Sequence, residues 1–68
     1  MTYLGYSIFI RSIAWHDGVE ADIVDPFGAH VFIADSDRYS AEASAREIVD
    51  YATRKGLNLK AATARVLA

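Results

Sequence analysis

Between Tyr3 and Trp15 the chain is dense in aromatic and β-branched residues, with Ile8 and Ile10 alternating against Phe9 and Arg11. A period of two in such residues predicts a first β-strand. Asp17-Gly18 follows, the kind of dipeptide that closes a two-residue type I′ hairpin. A turn there pairs His16 with Val19, Ala14 with Ala21 and Ser12 with Ile23, and it gathers Ile8, Ile10, Ala21 and Ile23 on one face. The second strand, Val19 to Asp25, ends at Asp25-Pro26-Phe27-Gly28. Pro suits the first turn position there, and Gly suits the left-handed position of a three-residue hairpin with a bulge. Asp25 then pairs with Ala29, Ile23 with Val31 and Ala21 with Ile33, so the third strand, Ala29 to Asp35, extends the same aliphatic face.

Beyond Asp35 the period changes. Ser40 is placed to cap a helix from about Ala41 to Lys55, with Glu42 in its first turn and Gly56 as its stop. At about 100° per residue, Ala41, Ala45, Ile48 and Ala52 form one narrow stripe suited to the aliphatic sheet face. Glu42, Arg46, Asp50 and Arg54 form an alternating ladder on the other side, the pattern of a solvated helix face. Leu57 to Ala68 reads either as a short helix opening at Asn58, with Leu59, Ala62 and Val66 inward, or as an extended segment at Leu57 and Leu59. The fold class is therefore α+β: a three-stranded antiparallel meander, one helix packed on one sheet face, and a short helical or extended tail. Residues 1–68 read as a single β-β-β-α domain, without repeat or linker.

One helix covers one face of such a sheet, which leaves the other to be explained. By the same registers it carries Phe9, Arg11, Ile13 and Trp15 on the first strand, Glu20, Asp22 and Val24 on the second, and His30, Phe32 and Ala34 on the third. An apolar patch rimmed by polar groups marks a protein-protein surface. Phe9, Arg11, Ile13, Trp15 and Phe32 are the candidate interaction residues. Aromatics on an open sheet also stack single-stranded bases, which gives the alternative reading, a single-stranded nucleic-acid binder. Glu20 and Asp22 sit at the centre of the face and repel phosphate.

Composition sharpens the choice. A chain of 68 residues, 53% of them hydrophobic, buries only about 60% of its unfolded surface, and without cysteine it has no disulfide to compensate. Self-association is the remaining common route, so a homodimer through the sheet face opposite the helix is expected, with Arg11 of one copy meeting Glu20 or Asp22 of the other. The net charge of −2 and the scatter of basic residues from Arg11 to Arg65 leave no footprint for a phosphate backbone, so nucleic acid is not the expected partner. The amino terminus lacks the basic start and long apolar core of a secretory signal, and no apolar run approaches the roughly 20 residues that span a bilayer, so a cytoplasmic location is expected.

No chemistry assembles from the remaining candidates. His16 and His30 lack the close spacing of a metal motif, and Asp35-Ser36-Asp37 opens like an EF-hand loop but has Ser40 where Gly belongs and Arg46 where the closing Glu belongs. Glu20, Asp22, Asp25, Asp35 and Asp37 read as surface acids, and no serine has a Gly-x-Ser-x-Gly context. The expectation is a protein that is not an enzyme and uses no metal or cofactor.

The strand order, the opening Tyr3-Leu4-Gly5-Tyr6 and the string Tyr39-Ser40-Ala41-Glu42-Ala43-Ser44-Ala45-Arg46 resemble two groups of small bacterial proteins. One comprises phage-associated or horizontally spread domains that begin with a Tyr-x-Gly-Tyr-like strand. The other is the N-terminal domain of HicB-type antitoxins, whose second turn carries a Pro-Asp-x-Pro-Gly-Cys-like string that Asp25-Pro26-Phe27-Gly28-Ala29 matches in part. The resemblance covers roughly the first 55 residues; the cysteine of that string is absent here, and an appended DNA-binding domain is not expected. It implies a non-catalytic regulatory binder that neutralises a partner by direct contact.

Overall fold

A computed structural model of the protein describes residues 1–12 and 18–68. It is α+β, with an antiparallel sheet and two helices in the order β1 (Thr2–Tyr3), β2 (Tyr6–Ser12), β3 (Val19–Val24), β4 (His30–Asp35), α1 (Arg38–Lys55) and α2 (Leu59–Val66). The sheet has the order β1-β2-β3-β4. It therefore holds a fourth strand where the sequence predicts three. The cause is Leu4-Gly5, whose φ values of 52° and 85° are both left-handed, as a type I′ turn requires. Tyr3 thereby faces Tyr6, and what reads as one long strand is folded back on itself. Met1 continues the ladder, its carbonyl accepting from the Ile8 amide at 2.7 Å.

The β3–β4 hairpin has the predicted register, with Ile23 opposite Val31 and Ala21 opposite Ile33. The Asp25 amide donates to the Ala29 carbonyl at 2.8 Å, and Gly28 takes φ 93°. The first hairpin differs. Ser12 faces Val19 and Ile8 faces Ile23, so β2 is displaced by four residues from the pairing that an Asp17-Gly18 turn dictates. Asp17 itself, with Ala14 and His16 of the predicted pairs, lies outside the described residues. Burial explains the displacement, because the observed register sets Ile8 and Ile10 against Ile23 and Ala21 beneath α1. Since the shift is even, the described side chains of β2 keep their predicted faces.

Helix α1 begins three residues before the predicted start. Asp37, not Ser40, is its cap, and the Asp37 carboxylate accepts from the Ser40 amide at 2.8 Å. Glu42 consequently falls beyond the first turn, which contains no acid. Gly56 ends the helix at φ 67°. Buried Ala41, Ala45, Ile48, Val49 and Ala52 lie on the sheet, where the alanines permit close approach. The tail is the helical alternative: Asn58 caps α2, its side chain accepting from the Ala61 amide at 2.8 Å, and buried Leu59 and Ala62 close the core against α1 and β4. The result is two layers, with helices on one face of the sheet and, among the described residues, no element on the other.

Candidate interaction face

On the open face the ladder aligns side chains in cross-strand rows. Phe9, Asp22 and Phe32 form the central row, flanked by Arg11, Glu20 and Ala34 on one side and Ser7, Val24 and His30 on the other. Phe9 is 57% exposed and Phe32 52%, large values for residues inside strands. The polar groups are paired within the chain. The Arg11 guanidinium donates to Glu20 Oε1 at 2.5 and 3.0 Å, and the His30 Nδ1 lies 3.1 Å from Asp22 Oδ1. The His30 ring meets Phe32 edge-on, centroids 5.1 Å apart at 75°. Both contacts are partly exposed, and the Arg11–Glu20 ion pair contributes little stability, about 0.2–1 kcal/mol for a pair of this kind.

Of the predicted interaction residues, Phe9, Arg11 and Phe32 share this face, whereas Ile13 and Trp15 lie outside the described residues. Arg11 engages its own Glu20, so the expected contact with a second copy's acid would have to replace that pair. His30 sits beside Asp22, away from a surface groove of about 310 Å³, which lies at the opposite edge of the sheet and is lined by Met1, Ile8, Phe9, Ile10, Arg38 and Glu42. Arg38 reaches the Ile10 carbonyl there at 3.5 Å, at the limit of a hydrogen bond.

On α1 the ladder is only half used as an ion-pair series. Arg46 pairs with Glu42, but Asp50 instead accepts from the Tyr3 hydroxyl at 2.9 Å, tying β1 to the helix. That hydrogen bond, and the Asp50 charge with it, raises the Tyr3 phenol above its ordinary pKa. Sequence pattern cannot reveal this pair, because it depends on the Leu4-Gly5 reversal. The Asp35-Ser36-Asp37 carboxylates are likewise spent locally, Asp35 accepting from the Ser36 amide at 2.8 Å and Asp37 capping α1. No helix among the described residues is long and apolar enough to cross a membrane. Comparison with protein-family models, with curated proteins and with solved structures finds no match.

Proposed function

We propose that the protein is a non-catalytic interaction module that self-associates through its sheet, an antitoxin-like or phage-associated regulatory binder in its specific form. The observation that supports this is the central row of the open face, where Phe9 and Phe32 stand half exposed on either side of Asp22 while the helices cover only the opposite face. Apolar surface of this kind on a domain this small marks an association site. The central acids, Asp22 and Glu20, weigh against a phosphate backbone as the ligand.

Light scattering behind a sizing column tests the reading. The wild type is expected to run above its 7.5 kDa monomer mass at high micromolar concentration and to fall toward it on dilution. A monomer throughout that range would overturn self-association. Salt-sensitive quenching of Trp15 by oligonucleotides would replace the reading with the nucleic-acid alternative.

A further inference from the structure

We infer that the second copy docks along the outer edge of β4, antiparallel and centred on Phe32, so that two sheets join into one. The inference rests on the self-association proposed above and names its contact. Among the described residues β4 is the last strand of the sheet and has one neighbour. The Asp25–Ala29 hydrogen bond fixes which of its backbone groups point at β3. By the alternation of an antiparallel ladder, Val31 and Ile33 point inward and His30, Phe32 and Ala34 present their N–H and C=O groups outward. All three outward residues are exposed, and no hydrogen bond among the described residues reaches those groups.

Proteins ordinarily blunt such an edge with charged side chains, Pro, a bulge or a covering element. His30–Asp35 contains no Lys, Arg, Pro or bulge, its one carboxylate is Asp35 at the last position, and α2 packs on it from the helix side of the sheet, opposite the exposed His30, Phe32 and Ala34. Its outward groups are instead symmetric about Phe32. A two-fold axis there sets Phe32 on Phe32 and His30 on Ala34, and of the antiparallel registers only this one engages all three outward positions of both strands. Charge agrees with the geometry, because the Asp35 carboxylate then falls opposite Ala29, and no acid meets an acid. The central rows of the two open faces also become one, Phe32 beside Phe32, with Asp22 and Phe9 following on each side. Stacking the faces would instead bury the Arg11–Glu20 ion pair of each copy, at a desolvation cost its attraction does not readily return, together with the polar His30–Asp22 contact. The opposite edge of the sheet is partly covered by β1, with Arg38 beside Ile10, so β4-to-β4 pairing closes as a dimer and does not propagate.

The test uses the full chain. Ala34→Pro removes an outward N–H at an edge, a place where a strand tolerates proline, and is expected to remain folded by circular dichroism yet run as a monomer. Phe32→Cys introduces the chain's sole thiol at a position whose Cα separation across the axis, about 5.5 Å for a hydrogen-bonded pair, suits a disulfide. Oxidation is expected to convert it almost fully to a covalent dimer, whereas Tyr39→Cys, on the exposed side of α1, stays largely monomeric. A wild-type dimer that persists in folded Ala34→Pro, or equal cross-linking of the two cysteine variants, would overturn the edge contact and leave self-association standing. A monomeric wild type would end both. Should Ala34→Pro unfold, amide exchange of the wild type decides: slowing of the Phe32 and Ala34 amides with rising concentration is expected, and exchange independent of concentration would overturn the contact.

Discussion

At the scale of single residues, Leu4 is where side chain and backbone disagree most. Its φ of 52° is left-handed, and its side chain is 58% exposed, so little packing offsets the strain. For an L-residue that conformation costs about 1–2 kcal/mol, whereas Asn tolerates it and Asn-Gly is a preferred type I′ pair. Leu4→Asn should therefore stabilise the protein by about 1 kcal/mol, a rise of about 4–8 °C in Tm for a domain of this size. An unchanged or lower Tm by calorimetry would mean that Leu4 makes contacts worth more than its strain. The same mismatch explains why β1 was not legible: nothing in Tyr3-Leu4-Gly5-Tyr6 but the glycine signals a reversal. Asp37 makes a second prediction. The Ser40 amide, opposed by partial desolvation and aided by the Ser40 hydroxyl and the Tyr39 amide, holds its carboxyl below the ordinary value of 3.8. A depressed folded pKa gives stability that is fully present above the unfolded value and is lost as pH falls through the folded one. Asp37→Asn keeps a capping oxygen but cannot titrate, so below pH 3.8 the wild type should lose Tm faster than the variant. Parallel Tm-versus-pH curves would show that the cap does not depend on the charge.

At the scale of elements, legibility followed the range of the interactions that fix each one. The β3–β4 hairpin was readable to the residue because its determinants are local: Gly28 supplies the left-handed position, and the Asp25 carboxylate accepts from the Phe27 and Ala29 amides at 2.9 Å each. The β2–β3 register was not, because a strong local signal at Asp17-Gly18 competes with a non-local demand. Ile8, Ala21 and Ile23 must all lie under α1, and that demand sets the register. The helix start was read three residues late, at Ser40, because Ser40 and Asp37 are both residue types that cap a helix. Asp37 prevails because its carboxylate takes the Ser40 amide and three further residues, Arg38, Tyr39 and Ser40, join the helix after it, leaving Ser40 as a donor inside the first turn. The tail was ambiguous for a related reason, since α2 is too short to be stable by propensity and exists through Leu59 and Ala62 packing on α1 and β4.

At the scale of the whole molecule, the composition of the open face was legible for Phe9, Arg11 and Phe32, because an even displacement of β2 preserves side-chain parity. What pattern could not show is which charges are already spent, as Arg11 is on Glu20, or which strand edge is left bare, since both follow from the final strand order. That order also gives α2 a role the tail reading left open. With α1 across β2, β3 and β4, α2 seals the core at the β4 side, and Leu59 is as deeply enclosed as Ile48 at the centre. If α2 belongs to the same cooperative unit, Leu59→Ala should cost about 2–5 kcal/mol, as Ile48→Ala should, in a domain whose total stability is of order 5–15 kcal/mol. Urea unfolding of both variants, followed by far-UV and near-UV circular dichroism at one fixed protein concentration, separates the possibilities. A shared core predicts a large drop in midpoint for each variant, with the two probes coincident. A Leu59→Ala variant that loses helical signal before the near-UV transition, with that transition unmoved, would instead make α2 an appendage that melts on its own and the sheet with α1 the true folding unit.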